Sequence, residues 1–334
     1  MSVLVTGGAG YIGSHMVLEL LNTGERVVVL DNLSTGFRWA VDDAAEFETG
    51  DIGNREQVEQ IITDHEVDAV IHFAGSIIAP ESLTAPLQYY SNNTANSRTL
   101  IEACINTGVA HFIFSSTAAV YGMPASNPVF EDAPFDPISP YGASKMMTEI
   151  MLRDISAAHD INYAALRYFN VAGADPTGRT GQSTKNATHL IKVACQTALG
   201  LRPSMEVYGT DYPTTDGTCI RDYIHVTDLA HAHNLALGYL RNKHENLVVN
   251  CGYGRGFSVL EVIKAVQLVT GCEFDVRMAA RRGGDPAEIV AGTRLIHEML
   301  DWTPAFNDLN EIVKHAYHWE QSILDRKSLK VMPN

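Results

Sequence analysis

The stretch that decides the fold is VLVTGGAGYIGSHM, residues 3–16, in which an apolar run leads into a cluster of glycines. Val3-Leu4-Val5 is typical of a buried strand, and we expect a helix to open at Ser14. The glycines of Gly8-Ala9-Gly10-Tyr11-Ile12-Gly13 suit a tight turn, close approach of the backbone to a pyrophosphate and close helix–strand packing. The free N–H groups of the helix N-terminus would face the phosphates. The stretch therefore predicts a dinucleotide-binding turn.

An acidic residue at the end of the next strand supports this interpretation. Asp31 lies at the end of the apolar run Val27–Asp31. A carboxylate at this point accepts hydrogen bonds from the 2′-hydroxyl of a ribose. No arginine stands beside Asp31 to receive a 2′-phosphate, so the sequence favours NAD over NADP.

Apolar runs continue to alternate with helix-like stretches along the first half of the chain. The expected strands are Val3–Val5, Val27–Asp31, Ala69–Phe73 and Phe112–Ser115, and the expected helices are 14–21, 57–65 and 89–106. Fully apolar strands separated by helices indicate a parallel sheet that is covered on both faces. Right-handed crossovers then give an α/β fold with a Rossmann-type doubly wound parallel sheet.

The pattern changes after about Phe169, where Gly, Thr, Asp and Pro become frequent. We expect an NAD-binding domain over 1–170 and a smaller mixed α/β substrate-binding lobe over 171–334. Segments from about 218–250 are expected to return to the first domain, because strand-like and helix-like runs recur there.

Charge and composition exclude several classes of protein. Among 334 residues, 24 Lys+Arg against 39 Asp+Glu give a net charge of −15, and a nucleic-acid binder would need clustered positive charge. No apolar stretch reaches the roughly 20 residues that span a bilayer, and the start lacks the basic region of a signal peptide. The 5 cysteines form no C-x-x-C pair, so we expect reduced thiols, no metal site and a cytoplasmic protein.

A second group of residues indicates acid–base chemistry. Tyr141 and Lys145 lie four residues apart, on one face of a helix that begins near Pro140, and the hydroxyl-rich Ser115-Ser116-Thr117 ends an apolar strand. A phenol with a pKa near ~10 is a poor base at neutral pH. A lysine ammonium one turn away and the positive nicotinamide of bound NAD would both favour the phenolate. The spacing predicts Tyr141 as a base whose pKa is lowered.

At this point the chain resembles the extended short-chain dehydrogenase/reductase family. The first half carries Gly7-x-x-Gly10-x-x-Gly13, Asp31-Asn32, His72-Phe-Ala-Gly75, Ser115-Ser116-Thr117, Tyr141-x-x-x-Lys145 and Arg167-Tyr-Phe-Asn170. The second half carries Asp211-Tyr-Pro-Thr-x-Asp-Gly-Thr218 and Arg221-Asp-Tyr-Ile-His-Val226, which resemble the UDP-hexose 4-epimerases of that family. The similarity runs along nearly the whole chain.

The resemblance implies reversible C4 epimerisation of UDP-glucose and UDP-galactose with a nondissociating NAD. Tyr141 would take the proton of the sugar 4-hydroxyl while the C4 hydride passes to the nicotinamide, and Thr117 would hydrogen-bond the same oxygen. Lys145 would tune Tyr141 and bind the nicotinamide ribose. The 4-keto sugar would then turn over in the cleft and receive the hydride on its other face. A homodimer through helices near 90–106 and 141–158 is also implied.

Two sets of binding residues follow from the motifs and the resemblance. The cofactor contacts are Gly7, Gly10, Tyr11, Ile12, Gly13, Asp31, Asn32, Asp51, Ile52, Phe73, Ala74, Gly75, Asn92, Ser115, Tyr141, Lys145 and Phe169. The substrate contacts are Thr117, Asn170, His189, Val207, Tyr208, Arg221, Arg282 and Asp285. In the family pattern the two arginines bind the diphosphate, Asp285 binds the uridine ribose, and Val207 and Tyr208 line the uracil.

Three positions depart from the family pattern or leave it open. Ile77 stands where the best-known bacterial members have a lysine near the nicotinamide, and His189 stands where they have an asparagine against the diphosphate. Ile289 lies where side-chain bulk decides whether N-acetylated sugars fit, and its size is intermediate. A C4 epimerase of a UDP-N-acetylhexosamine or a UDP-pentose therefore stays an alternative.

The sequence disfavours two other functions. A nucleotide-sugar 4,6-dehydratase needs an acid–base pair just after the catalytic threonine, where this chain has Ala118-Ala119. A non-catalytic NAD-sensing module would be expected to have lost Thr117, Tyr141 or Lys145, and all three are present.

Overall fold

A parallel sheet lies at the centre of the part of the chain that the structure, a computed structural model, describes: residues 1–185 and 187–328. The strands are β1 Ser2–Thr6, β2 Val27–Asp31, β3 Glu46–Thr49, β4 Val67–His72, β5 His111–Thr117, β6 Asn162–Tyr168, β7 Asn170–Ala172, β8 Met205–Tyr208, β9 Ile220–His225, β10 Leu247–Cys251, β11 Gly256–Ser258, β12 Val276–Ala279 and β13 Glu288–Ile289. The helices are α1 Tyr11–Asn22, α2 Arg55–Asp64, α3 Ala79–Thr84, α4 Pro86–Tyr89, α5 Asn96–Thr107, α6 Pro140–Ala158, α7 Leu190–Ala198, α8 Val226–Lys243, α9 Val259–Thr270, α10 Arg294–Leu300 and α11 Leu309–Ser328.

Within those residues, seven strands pair side by side in the order β10-β6-β5-β4-β1-β2-β3, and each neighbouring pair is parallel. This order reverses direction between β1 and β4, as in dinucleotide-binding folds. Alternate residues of each strand face opposite sides, so Val3 and Val5 pack with α1 and α8 while Leu4 packs with α2 and α5. The predicted doubly wound sheet is confirmed.

The strand register brings the predicted loops to one edge. Thr6 pairs with Leu30 on one side and with His72 on the other, and His72 pairs with Phe114. The residues that follow these four in sequence therefore lie together near the carboxyl edge of the sheet. They are Gly7, Asp31, Phe73 and Ser115, and all four line one cleft.

A smaller group of elements covers that edge. Strand β9 pairs with β7, β11 and β13, and β8 pairs with β12. Helices α7, α9 and α11 enclose a separate apolar cluster against them. Strand β10 lies in the large sheet and α8 packs on it, although both follow the first short strands of this group. The division of the chain at residue 170 stays a prediction, and residues 329–334 of the expected second lobe lie outside the described residues.

Two expected helices differ from the structure. Helix α1 begins at Tyr11 rather than at Ser14, because the Gly10 backbone serves as N-cap without any side-chain hydrogen bond. The expected helix over 89–106 is interrupted by a π-helical turn at Tyr90–Ala95. No helix among the described residues combines the length and the apolarity needed to cross a membrane.

Candidate active site

The turn after β1 leaves no room for side chains at two glycines. Gly7 has a φ of +72°, and a Cβ there would lie 2.6 Å from the backbone nitrogen of Ala74. A Cβ on Gly13, within α1, would lie 2.2 Å from the Gly7 carbonyl oxygen. The turn therefore presses directly on the first turn of α1, and this close packing brings backbone N–H groups to the cleft.

Asp31 holds the same turn from the neighbouring strand. Its carboxylate accepts hydrogen bonds from the backbone nitrogens of Ala9 at 3.0 Å and Leu33 at 2.8 Å. Burial raises the pKa of Asp31, and the two backbone hydrogen bonds act in the opposite direction. Asn32 donates to Asp51 at 2.8 Å, so these two predicted cofactor contacts are already joined.

A cleft of about 960 Å³ runs from this turn to the smaller lobe. It contains both predicted sets of residues except Val207 and Tyr208. Val207 is 1% exposed and belongs to the apolar cluster of the smaller lobe. Tyr208 lies under the guanidinium of Arg282, whose central carbon is 3.6 Å from the ring centroid. For these two residues, contact with a uracil stays a prediction.

The predicted acid–base group lies at the carboxyl end of β5. Tyr141 and Thr117, 9% and 8% exposed, both line the cleft, and the Thr117 hydroxyl interacts with the Tyr141 phenol. Tyr141 and Lys145 share one face of α6 because they lie four residues apart. The helix begins just before them, where Ser139 caps its N-terminus and Pro140 occupies the first turn. The Lys145 ammonium donates to the Ser115 carbonyl at 2.8 Å and lies 4.9 Å from the Phe114 ring centroid.

In the protein alone the pKa of Tyr141 is raised, and the predicted lowering, which includes the charge of bound NAD, stays a prediction. Burial raises the pKa of Tyr141, and the hydrogen bond with Thr117 opposes this less strongly. The Lys145 ammonium contacts a carbonyl, and burial lowers its own pKa to about 8 against the opposing charge of Glu149. The spacing of Tyr141 and Lys145 predicts that they share one helix face. It does not show that the Lys145 ammonium donates to the Ser115 carbonyl.

A buried ion pair supports this helix, and the sequence did not reveal it. Glu149 lies one turn after Lys145 and accepts two hydrogen bonds from Arg167 through Nε, at 3.1 Å each, and one through Nη2, at 2.7 Å. Ser116 donates to the same carboxylate. Arg167 also donates to the Tyr121 hydroxyl at 2.9 Å. The motif Arg167-Tyr-Phe-Asn170 draws attention to Arg167. Spacing in the sequence does not identify Glu149 on α6 as its partner.

The π-helical turn holds the loop after β4, which carries Ile77. Asn93 accepts from the Ser76 backbone nitrogen at 2.7 Å, and its amide donates to the Ser76 carbonyl at 2.9 Å and to the Ser144 hydroxyl at 3.1 Å. The neighbouring Asn92 donates to the Ser76 hydroxyl at 2.9 Å. Asn93 thus joins the loop after β4 to α6. Ile77 lines the cleft and is 46% exposed.

The far end of the cleft is built by the small sheet. Arg221 on β9 pairs in register with Ile289 on β13, while Asn170 begins the adjacent β7. Arg221 Nη2 lies 3.8 Å from Asp285 Oδ1, and its side chain is 13% exposed. His189 lines the same cleft just before α7. Short parallel strands therefore gather residues that are more than 100 positions apart in sequence.

The structure brings together no group of three or more His, Cys, Asp or Glu residues able to hold a metal ion within the part of the chain that it describes. All 5 cysteines are described, and each is free.

Comparison with known proteins agrees with this geometry. The sequence profile of the NAD dependent epimerase/dehydratase family matches residues 3–252. The UDP-glucose 4-epimerase of Azospirillum brasilense is 57% identical over 321 residues, which cover 96% of this chain and 92% of that protein. A crystal structure of UDP-glucose 4-epimerase from Brucella ovis in complex with NAD has a TM-score of 0.92 at 44% identity, covering 95% of this chain and 98% of that one. The UDP-Glc/GlcNAc 4-epimerase of Campylobacter jejuni has a TM-score of 0.84 at 47% identity, covering 96% and 99%.

Proposed function

Because this chain belongs to the NAD dependent epimerase/dehydratase family, we propose that it interconverts UDP-glucose and UDP-galactose by inverting C4 of the hexose, with NAD as its resident cofactor. The observation that carries the proposal is the pair of neighbouring hydroxyls, Thr117 and Tyr141, in the cleft that also contains the dinucleotide turn. An alcohol placed against this pair can lose its proton.

The residues present fit a dinucleotide. Gly7 and Gly13 give a turn in which a Cβ would collide with the backbone, and the N-terminus of α1 opens onto it. Asp31 keeps acceptor capacity for a ribose hydroxyl beside that turn. Bound NAD would supply a reversible hydride acceptor, so that C4 is oxidised and reduced in one cycle without net redox change.

Tyr141 is the general base of this proposal, and Thr117 shares the proton path. Burial favours the neutral phenol, and the Thr117 hydrogen bond favours the phenolate. Lys145 orients the site through the Ser115 carbonyl and contributes positive charge one helical turn away. The same Tyr141 returns the proton to the sugar oxygen when C4 is reduced, so the chain ends the cycle unchanged.

Two cationic side chains are proposed to hold the UDP group. Arg221 and Arg282 line the end of the cleft remote from the dinucleotide turn. A guanidinium matches phosphate oxygens with two parallel hydrogen bonds, and Asp285 beside Arg221 is suited to a ribose hydroxyl.

The competing dehydratase needs side chains that this cleft lacks. Ala118 and Ala119 follow Thr117 and both line the cleft, so no acid or base projects from those positions. Conversion of UDP-N-acetylhexosamines or UDP-pentoses is tested in the same assay, since Ile289 lines the substrate end.

The test is incubation of the NAD-loaded protein with UDP-galactose. We expect UDP-glucose without net NADH; no conversion, or a 4-keto-6-deoxy product, would refute the proposal. Tyr141→Phe removes the hydroxyl and should reduce kcat by about 10²–10⁴-fold while NAD stays bound. Tyr239→Phe is the matched control, because the Tyr239 hydroxyl donates to Glu245 at the surface.

A homodimer in the cytoplasm completes the proposal. Leu83, Leu87 and Met147 are 53%, 80% and 38% exposed on elements that pack together, and such a surface is suited to a second copy. The 5 free thiols are compatible with a reducing compartment. Light scattering should give twice the chain mass, and Leu87→Asp should halve it; cell fractionation tests the compartment.

A further inference from the structure

His189 has a buried amide as its immediate neighbour. The Gln182 side-chain nitrogen lies 2.7 Å from Nδ1 of His189. Gln182 is only 7% exposed, and it lies in the loop between β7 and α7. His189 lines the cleft together with Arg221 and Arg282, so this contact belongs to the substrate end of the cleft.

A buried ion pair fixes Gln182 in turn. Lys192 on α7 donates to the Gln182 backbone carbonyl at 2.6 Å and pairs with Glu320 on α11. Lys192 and Glu320 are 6% and 4% exposed. A cavity of about 20 Å³, enough for one water, lies among His189, Gln182, Lys192 and Glu320. Two helices therefore hold the loop that presents the amide.

The direction of the amide hydrogen bond determines the form of the imidazole. An N–H that donates to Nδ1 needs a lone pair on that nitrogen, so the proton of a neutral ring lies on Nε2. If the amide oxygen faced Nδ1 instead, the neutral ring would present an Nε2 lone pair, which an anion repels. Only the first arrangement offers a donor to a phosphate without protonation of the ring.

Charged and titratable groups surround the ring, and the only carboxylate among them, that of Glu320, is paired with Lys192. These groups are Lys192 on its own helix, Glu320 on α11, and Tyr223 and Arg221 on β9. Burial and the positive charge of Lys192 lower the pKa of His189 to about 4. The ring is therefore neutral at pH 7.

We propose that Gln182 is a positioning residue that holds His189 as the neutral Nε2–H tautomer, aimed at the diphosphate of the bound nucleotide. The inference rests on the proposed function, since it takes UDP as the ligand of this end of the cleft. Arg221 and Arg282 supply the charge. His189 adds a directed hydrogen bond whose strength does not change with pH near neutrality.

The test measures UDP binding to the NAD-loaded full chain by calorimetry at several pH values between about 6 and 8.5. His189→Asn keeps a neutral donor and should bind UDP within about threefold of the wild type at every pH. His189→Leu should weaken binding about tenfold, the value of one hydrogen bond to a charged group. A ratio of wild-type to His189→Asn affinity that rises as the pH falls would show a cationic ring and overturn the proposal.

Two variants of Gln182 separate positioning from general support. Gln182→Glu offers acceptors only, so it should turn the ring into an Nδ1–H donor and a cation, and UDP affinity should then fall as the pH rises above about 7. A flat pH profile in Gln182→Glu would contradict the proposal. Gln182→Leu leaves Nδ1 without a donor and should weaken UDP binding about threefold.

A spectroscopic measurement on the unaltered protein keeps the proposal testable if a variant fails to fold. Nitrogen NMR of ¹⁵N-histidine-labelled holoprotein, with His189→Asn to assign the ring, should show a neutral Nε2–H form. The Nδ1–H form or a cation would overturn the proposal. Absence of UDP binding to the wild type would overturn the proposed function as well, whereas normal binding that His189→Leu leaves unchanged would overturn this inference alone.

Discussion

Replacement of Gly13 by alanine tests how the dinucleotide turn is built. The added Cβ would lie 2.2 Å from the Gly7 carbonyl oxygen and 2.8 Å from the Gly8 Cα, both below the 3.0 Å that real Cβ atoms keep. Both neighbours are backbone atoms, so the turn and α1 must move apart. Gly7 cannot move towards β4 because the Ala74 backbone already lies against it.

Two opposing terms set the size of the effect. Alanine in a helix interior is ordinarily more favourable than glycine by about 0.5–1 kcal/mol. Overpacking of a tight contact costs about 1–3 kcal/mol, so Gly13→Ala should lower the free energy of unfolding by roughly 0.5–2 kcal/mol. Displacement of one backbone N–H from a charged phosphate removes a further ~1.5–3 kcal/mol of NAD binding, a loss in affinity of about 10- to 100-fold.

The matched control is Gly238→Ala. Gly238 also lies within a helix, α8, but a Cβ there meets nothing within 4 Å. This variant should gain about 0.5–1 kcal/mol and keep its NAD. Urea unfolding gives the stability, and chromatography of the nucleotide released on denaturation gives the NAD content. If Gly13→Ala matches Gly238→Ala in both measurements, the packing argument fails.

Three further perturbations test other parts of the structure. Burial lowers the pKa of five histidines to about 3 or 4: His15, His72, His189, His225 and His233. The unfolded chain binds these protons near pH 6.5, so stability should fall as the pH drops from 6.5 towards 4, by up to about 1.4 kcal/mol per histidine per pH unit. An unchanged urea midpoint between pH 7 and pH 5 would contradict this. Because the pKa of Lys145 is lowered to about 8, its charge is lost as the pH rises through that value, and kcat should decline there; a kcat that stays flat to about pH 9.5 would show that this charge is not required. Arg221→Lys should raise the KM for UDP-galactose about tenfold at unchanged kcat, whereas Arg255→Lys, exposed over Phe257, should leave both constants alone.

The dinucleotide turn was predictable because its signal is local. Every glycine that the turn requires stands within a few residues of β1, and Asp31 ends the next strand. The predicted start of α1 is three residues too late. Gly10 caps this helix through its backbone, so no capping side chain marks the start in the sequence.

The residue pairs that support the site were not predictable, because their members are distant in sequence. Glu149 meets Arg167 and Asn93 meets Ser144 only after strands and helices have packed, so no spacing in the sequence identifies those pairs. The short strand β9 carries the polar residues Arg221 and Asp222, which conceals the usual apolar pattern of a strand. Arg221 is expected only from the resemblance to a known family, since periodicity does not indicate it.

The position of β10 has a consequence for how the molecule assembles. This strand pairs with β6 in parallel, with Leu247 beside Ala164, and it is the outermost strand of the large sheet on that side. A fragment that ended at residue 170 would leave the buried residues of β6 as an open edge, which is a template for pairing with other chains. The sheet can therefore be completed only after the chain has closed a long loop, which slows folding. We expect such a fragment to aggregate and one that extends past Cys251 to be the shortest that closes the sheet.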